Sequence, residues 1–290
     1  DEQKAKQNWD GINNPYISMP KMIMMTYDMP ECLNLSREDY GFNLNEFFKA
    51  LGEDNNAKFK YEDSVQKWLD LIRGVNCRDV YADLSNNKSL PVLPFSDTRL
   101  VNVLNHTFWF LPSISSCNAM KNLLMKRANY FYHDYEIIVC AGNAVGTGID
   151  AIKPVRIKMS NPLSSKTITL SCGKLNTGVT VKPWTGVFFL RDTESPETYF
   201  QTAFRVQSPW QILDKDNHSI NLKDECFIFD FSPNRALKLL TEYSLRLDIS
   251  TKEHEEKIEN VIKFLPILSF DGSSMKSINA EEVLSISLLG

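Results

Sequence analysis

The chain has 290 residues, of which 43% are hydrophobic and 23% are charged, and its formal net charge is −4. This composition excludes a disordered chain, a collagen-like rod and a strongly cationic nucleic-acid-binding protein, so any contact with DNA or RNA has to be local. No apolar run approaches the ~18 residues that a membrane-spanning helix needs, so we expect a cytoplasmic protein with no membrane partner.

Residues 1–102 are predicted to form a mixed, partly helical region. The apolar run Lys21–Tyr27 predicts a buried strand. Residues 43–51 and 63–73 predict two helices, each preceded by a capping side chain and followed by a glycine. Residues 82–99 are rich in Asn, Ser, Pro and Asp and predict a loop into the next unit.

Residues 103–245 alternate short apolar runs with helical segments. Five runs predict strands: residues 106–111, 136–141, 167–172, 186–190 and 226–231. A helix is predicted at residues 117–128, capped by Ser116, and two more begin at Ser195-Pro196 and Ser232-Pro233. Strands that are apolar on both faces and alternate with helices imply a parallel sheet that is covered on both sides. We therefore predict a three-layer α/β domain that binds ligands outside the carboxyl ends of its strands.

Residues 246–290 are predicted to be a C-terminal extension that packs on this domain. The segment is charge-dense at first, then apolar, and residues 279–287 predict a final helix.

Several common sites are absent from the sequence. The histidines lie at positions 106, 133, 218 and 254, and no Cys/His cluster has the spacing of a metal site, so we predict no metal ligands. The G-x-x-x-x-G-K-[ST] phosphate loop is missing. Gly142, Gly146 and Gly148 follow a predicted strand, but their spacing differs from the dinucleotide fingerprint G-x-G-x-x-G. An unrelated Rossmann-type nucleotide enzyme that uses this turn stays open as an alternative.

The most informative segment covers residues 167–210. A predicted strand leads to the loop 173–178, whose small and polar residues would let backbone amides approach a phosphate closely. In the helix that follows the next strand, Gln201, Arg205 and Ser208 are spaced i, i+4 and i+7, so we expect them on one face. An amide beside a guanidinium presents several donors to one anion. A surface Gln–Arg pair without a ligand stays open as the alternative.

This segment resembles the second RecA-like domain of superfamily 2 helicases and translocases, most of all the motors of ATP-dependent restriction enzymes. The family's motif V has the form T-D-K-L-x-T-G-x-D-x-P, and residues 172–183 here are C-G-K-L-N-T-G-V-T-V-K-P. The family's motif VI has the form Q-x-x-x-R-V-x-R, and residues 201–208 here are Q-T-A-F-R-V-Q-S. The likeness extends over residues 103–245, and it implies a RecA-like fold with a mainly parallel central sheet.

The resemblance also implies roles for individual residues. Arg205 would be an arginine finger that reaches the γ-phosphate of ATP held by a partner RecA-like domain, with Gln201 beside it. In motif V the residues that would link nucleotide state to the DNA are Lys174, Thr177, Gly178 and Thr180. At the strand ends the candidates for DNA backbone contacts are Ser113, Ser115 and Gly142. The finger assignment requires that the Arg205 guanidinium emerge at the edge of the sheet, beside the ligand crevice, and point at the missing neighbour.

Several positions depart from the family pattern, and the motif V proline comes one place late, at Pro183. Ser208 replaces the second motif VI arginine, and Gly173 and Thr180 replace the motif V aspartates. The sequence also begins without Met and has no Walker A loop or D-E-x-x box. We therefore expect a piece of a longer polypeptide: the C-terminal motor half of an ATP-dependent DNA helicase or translocase of a restriction or defence system, inert alone. ATP and Mg²⁺ would be bound mainly by the N-terminal half. The alternative is a non-catalytic module with a RecA-like fold that binds nucleic acid or a protein.

Overall fold

Eight strands form one central sheet in the computed structural model of the chain, which describes residues 16–33, 43–75, 92–142, 149–173, 175, 179–247, 254–271 and 274–289. These strands are β1 (Lys21–Tyr27), β4 (His106–Phe110), β5 (Glu136–Val139), β6 (Thr167–Ser171), β7 (Gly186–Phe189), β10 (Glu225–Asp230), β11 (Ile267–Phe270) and β12 (Met275–Ser277). Their order across the sheet is β12-β11-β1-β10-β7-β4-β6-β5. All neighbouring pairs are parallel except β11 with β12. Two small hairpins stand apart: β2 (Ala50–Leu51) with β3 (Lys58–Phe59), and β8 (Gln211–Leu213) with β9 (Ser219–Asn221).

Helices cover both faces of this sheet. They are α1 (Met29–Leu33), α2 (Leu44–Phe47), α3 (Glu62–Ile72), α4 (Thr98–Val103), α5 (Ile114–Leu124), α6 (Ile149–Met159), α7 (Pro196–Ala203), α8 (Pro233–Leu247), α9 (His254–Phe264) and α10 (Ala280–Leu289). One buried apolar cluster joins the sheet to α3 and α5, and a second joins it to α6, α7, α8, α9 and α10. A mainly parallel sheet with an apolar cluster on each face is a three-layer α/β arrangement, so the predicted architecture is confirmed.

The five strands predicted between residues 103 and 245 are confirmed, and so is the strand Lys21–Tyr27. The sheet extends beyond that range, however. β1 comes from the predicted N-terminal region and inserts between β10 and β11, while β11 and β12 come from the predicted C-terminal extension. The two boundaries between the three predicted regions stay a prediction, but the central sheet crosses both of them.

Helix ends were predicted less well than strands. The helix predicted at 43–51 is capped by Asn43, whose side chain accepts from the amides of Asn45 and Glu46, but it ends at Phe47 because a short hairpin follows. The helix predicted at 117–128 begins at Ile114, three residues early, and Ser113 rather than Ser116 caps it. The helix α4 begins within the predicted loop 82–99 and extends beyond its end. Residues 82–91 of that loop lie outside the part of the chain that the structure describes.

None of the helices in the described ranges combines the length and the apolar composition that crossing a bilayer demands.

Candidate functional site

The carboxyl ends of the central strands bring together two of the predicted DNA contacts. Ser113 follows β4, and Gly142 follows the edge strand β5. Gly142 has a φ of +84°, and a Cβ at this position would lie 3.6 Å from Cδ1 of Ile114, the residue next to Ser113. Both positions therefore lie on the same rim of the sheet, as expected for parallel strands. A dinucleotide loop belongs at a topological switch point rather than at an edge strand, so this location does not favour the Rossmann alternative.

Ser113 already has a structural role on this rim. Its Oγ accepts from the Ser116 amide at 3.0 Å and lies 2.8 Å from the Ser116 Oγ, which in turn donates to the Phe48 carbonyl at 2.7 Å. The N-terminus of α5 is thus capped and tied to the segment after α2. Ser115, the third predicted DNA contact, lies two residues further along and is half-buried.

We expect Ser113→Ala to lower the free energy of unfolding by about 1 kcal/mol, because one N-terminal amide of α5 loses its acceptor. Urea denaturation monitored by far-UV circular dichroism measures this loss. Ser115→Ala is the matched control, since Ser115 does not cap the helix. Equal stability of the Ser113→Ala variant and the parent protein would contradict the capping role.

The motif V segment joins the carboxyl end of β6 to the amino end of β7, and its described residues, 172–173, 175 and 179–185, form no helix. Lys174, Thr177 and Gly178 lie outside the described residues, whereas Thr180 is described and exposed. Four apolar side chains hold the segment against the second apolar cluster: Leu175, Val179, Val181 and Trp184. At its start, Arg191 donates to the Cys172 carbonyl at 3.2 Å, and the Arg191 guanidinium lies 4.9 Å from the centre of the Phe110 ring.

The motif VI residues lie on two different elements. The helix α7 begins at Pro196 with Ser195 as its cap, as predicted, but it ends at Ala203 and continues as the 3₁₀ turn Phe204–Gln207. The predicted i, i+4, i+7 face is therefore wrong: Gln201 is exposed on α7, Arg205 is in the tighter turn, and Ser208 follows it in extended conformation.

Arg205 contacts the motif V segment. Its side chain is half-buried, and Nη1 donates to the Val179 carbonyl at 2.5 Å. Burial lowers the pKa of Arg205 from its ordinary value, although a guanidinium stays protonated in proteins. The two segments that the sequence singled out are thus joined directly, through a hydrogen bond that the sequence did not predict.

The turn that carries Arg205 lies at the amino ends of β7 and β10. The carbonyl of the next residue, Val206, accepts from Lys223, two residues before β10, and Lys223 also donates to the carbonyl of Trp184, two residues before β7. Arg205 is at an edge of the sheet, as expected. The expected location beside the carboxyl-end crevice is wrong, because α7 runs back along the sheet and carries its last turn to the opposite rim.

Lys223 is a buried cation that sequence reasoning missed. It is 3% exposed, and its Nζ donates to the carbonyls of Lys182, Trp184 and Val206 at 2.7, 2.9 and 2.9 Å. Burial lowers the pKa of Lys223 to about 8. Carbonyl acceptors have no sequence signature, so nothing in the sequence distinguishes this lysine from a surface lysine.

A buried charge cluster at the carboxyl rim was missed as well. Arg235, in the first turn of α8, pairs with Asp230 at 2.7 Å and with Asp192 at 2.9 Å. Asp230 also accepts from the Tyr199 hydroxyl at 2.8 Å, and Asp192 accepts from the Leu44 amide at 2.7 Å. Burial raises the pKa of Asp230, while the neighbouring Arg235 acts in the opposite direction. The sequence does place both aspartates near the carboxyl ends of predicted strands: Asp230 is the last residue but one of the run 226–231, and Asp192 lies two residues after the run 186–190.

One group among the described residues has the composition of a metal site. The ligand atoms of Asp214, Asp216 and His218 lie within 4.8 Å of one another on the exposed β8–β9 hairpin. One oxygen of Asp214 already accepts from the amides of Asp216 and His218, so the cluster shapes the hairpin turn.

Comparison with known proteins gives one curated relative. No family model matches the chain. A Mycoplasma pneumoniae protein named "Putative type II restriction enzyme and methyltransferase RM.MpnORF110P C-terminus" is 27% identical over 305 aligned positions, which cover 97% of this chain. The chain spans 40% of the length of that relative.

Two solved structures were also found. The ATP-dependent Type ISP restriction-modification enzyme LlaBIII bound to DNA aligns with 91% of this chain and 15% of its own, at 11% identity and a TM-score of 0.42. The C-terminal part of the Fun30 ATPase domain aligns with 81% of this chain and 67% of its own, at 13% identity and a TM-score of 0.32.

Proposed function

We propose that this chain is the C-terminal, RecA-like motor half of an ATP-dependent DNA translocase or helicase in a restriction-modification system. The observation that carries the proposal is the similarity of 97% of the chain to a protein whose name describes a restriction enzyme and methyltransferase. Since the chain spans 40% of that relative, the remaining length is enough to supply an ATPase half. The three-layer α/β fold with its parallel sheet supports the same function.

Because Arg205 is not beside the carboxyl-end crevice, as the finger assignment required, in this proposal it can act only on a nucleotide that another domain holds at the amino rim. The helix α7 has 8 residues, about 12 Å at 1.5 Å per residue, and it separates Arg205 from the carboxyl rim. Arg205 therefore cannot reach a ligand above the carboxyl ends of its own sheet. It can reach a phosphate only if a neighbouring domain presents one at the amino rim, and there its charge would stabilise the transition state.

The Arg205 guanidinium suits a phosphate better than a metal ion. Its N–H groups donate to phosphate oxygens, whereas Mg²⁺ prefers carboxylate oxygens and water. Bound ATP and Mg²⁺ would supply the γ-phosphoryl group and neutralise its developing charge. We assign the metal ion to the N-terminal half, and we expect the present chain alone to be inactive.

DNA would lie across the carboxyl rim. Ser113, Ser115 and Gly142 offer neutral groups there, and neutral hydroxyls and amides commonly contact the sugar-phosphate backbone. Such contacts fit a chain with a net charge of −4. The motif V segment starts at this rim and ends beside Arg205, so it would connect the DNA to the nucleotide.

ATP hydrolysis by the longer protein that contains this chain tests the proposal. We expect hydrolysis that duplex or single-stranded DNA stimulates, and none from residues 1–290 alone. A longer protein that hydrolyses no ATP, with or without DNA, would refute the motor function.

A non-catalytic module that binds nucleic acid or protein is the second candidate. The observation in its favour is that the Arg205 guanidinium already donates to the Val179 carbonyl, so it need not contact a phosphate. The replacement of the family's aspartates by Gly173 and Thr180 points the same way. DNA binding by the longer protein without ATP turnover would select this candidate.

We expect Lys174→Ala to weaken the stimulation of ATP hydrolysis by DNA more than the basal hydrolysis, because motif V would transmit DNA binding to the nucleotide. Basal and DNA-saturated turnover of the longer protein measure the two effects. Lys215→Ala, on the β8–β9 hairpin, serves as the matched control. Equal stimulation in the Lys174→Ala variant and the parent protein would remove Lys174 from the coupling.

A further inference from the structure

Lys223 has a bonding pattern that its burial alone does not explain. An ammonium has three N–H donors, and here each of them has a backbone carbonyl at 2.7–2.9 Å. Among the described residues no salt bridge joins Lys223 to a carboxylate. Burying a charge without a counter-charge is costly, and a well-packed apolar side chain is often as stable or more so. The ammonium therefore holds the two backbone segments that carry these three carbonyls in one specific arrangement.

The three acceptors belong to the two segments of the proposed site. The Lys182 and Trp184 carbonyls flank Pro183 at the end of the motif V segment, and the Val206 carbonyl belongs to the turn that carries Arg205. Arg205 adds a hydrogen bond to Val179 at the other end of the same stretch. Residues 179–184 and the turn Phe204–Gln207 are thus joined by two cations.

We propose that Lys223 is a positioning residue that fixes the Arg205 turn against the end of the motif V segment, so that the guanidinium meets the nucleotide in one orientation. This inference rests on the proposed motor function. Misplacement of a catalytic group by about 1 Å can cost on the order of 10²-fold in rate. Loss of the ammonium should therefore lower turnover more than it lowers nucleotide affinity.

The pH dependence of turnover distinguishes a positioning role of Lys223 from an effect on the stability of the fold. The pKa of Lys223 is about 8 in the folded chain, below the ordinary lysine value of 10.5, so the folded state releases this proton first. The free energy of unfolding therefore rises, rather than falls, between these two pH values. Above pH 8 the neutral amine has only two N–H donors, and one carbonyl loses its partner. A loss of turnover in this range cannot come from unfolding through Lys223.

Several other titratable groups lie near Lys223. The Cys226 side chain on β10 acts on the pKa of Lys223 in the raising direction, against the effect of burial. Asp224 and Glu225 follow it in the chain, while Lys182 and Arg205 are the charged residues of the two segments it joins. Substitution at position 223 is needed to assign the alkaline change to this residue.

The experiment uses the longer protein that contains this chain, with the variants Lys223→Met, Lys223→Arg and, as a control, Lys215→Met. Turnover of ATP with saturating DNA and the KM for ATP are measured from pH 6.5 to 9.5. Deuterium uptake is followed in peptides that cover residues 179–185 and 204–208. Met matches the length of the lysine stem without donors, and Arg keeps its charge throughout this pH range.

We expect Lys223→Met to lower kcat by about 10- to 100-fold with a small change in KM, and to raise deuterium uptake mainly in the two peptides. Lys223→Arg should recover part of kcat and remove the alkaline loss, and Lys215→Met should match the parent protein. Unchanged kcat in folded Lys223→Met protein would overturn the inference. So would an alkaline loss that Lys223→Arg retains, or uptake that rises equally throughout the chain. A parent protein without ATP hydrolysis would refute the motor function instead, and local uptake would still test the Lys223 contact.

Discussion

Arg205→Ala is expected to lower DNA-stimulated ATP hydrolysis by about 10²–10⁴-fold in the longer protein, as for the loss of a charge that stabilises a phosphoryl-transfer transition state. Arg205 lies at the amino rim of β7 and β10, away from the carboxyl ends of its own sheet, so the proposed finger role requires a nucleotide that a neighbouring domain presents at that rim. Steady-state turnover with saturating ATP and DNA measures the loss.

The variant Arg205→Ala also removes the hydrogen bond to Val179, so structural and chemical losses have to be separated. Arg205→Lys keeps a charge but loses the planar fork, and we expect it to recover only a small part of the turnover. Arg156→Ala, at an exposed position on α6, is the matched control and should leave ATP turnover unchanged. Turnover of Arg205→Ala within a factor of two of the parent protein would exclude the finger role and favour the binding module.

Arg235→Met should cause the largest loss of stability, about 3–5 kcal/mol in the free energy of unfolding. The substitution leaves the carboxylates of Asp230 and Asp192 without the cation that both contact, and Asp230 is fully buried. Urea denaturation at pH 7.5 measures the loss. This loss of stability comes from leaving a buried carboxylate without its cation. It does not mean that the intact cluster of charges stabilises the fold by the same amount.

The pH dependence of this loss has a defined sign. Burial already raises the pKa of Asp230 in the folded chain, and removal of Arg235 raises it further, because the cation favours the ionised carboxyl. Protonation of Asp230 removes the unpaired charge. The difference in stability between Arg235→Met and the parent protein should therefore be smaller at pH 5 than at pH 7.5.

Two further variants test the cause of the loss. Asp230→Asn in the Arg235→Met background should restore part of the stability, since the two residues are in direct contact and such pairs are not additive. Arg99→Met breaks an exposed pair with Asp97 and should cost about 0–1 kcal/mol. A loss below 1 kcal/mol in Arg235→Met would show that the buried carboxylates are compensated in another way.

The sequence predicted those features of the fold that local patterns encode. The runs that became β4, β6 and β7 are buried on both faces, so their apolar composition identifies them as strands of a parallel sheet. Ser195 and Asn43 cap helices because their side chains accept from amides two or three residues away. The sequence predicted helix lengths less well. The end of α7, for example, depends on how residues 204–207 pack against β7 and β10.

Tertiary structure alone decided the order of the strands and the contacts of the buried cations. β1 lies between β10 and β11, which are about 200 and 240 residues away in sequence. The pairing of parallel strands depends on long-range burial and not on a local turn. Arg205 reached the rim opposite to the expected one because α7 runs antiparallel to β7. Lys223 and Arg235 look like surface residues in the sequence, since a backbone carbonyl or a distant aspartate becomes a partner only when the chain has folded around it.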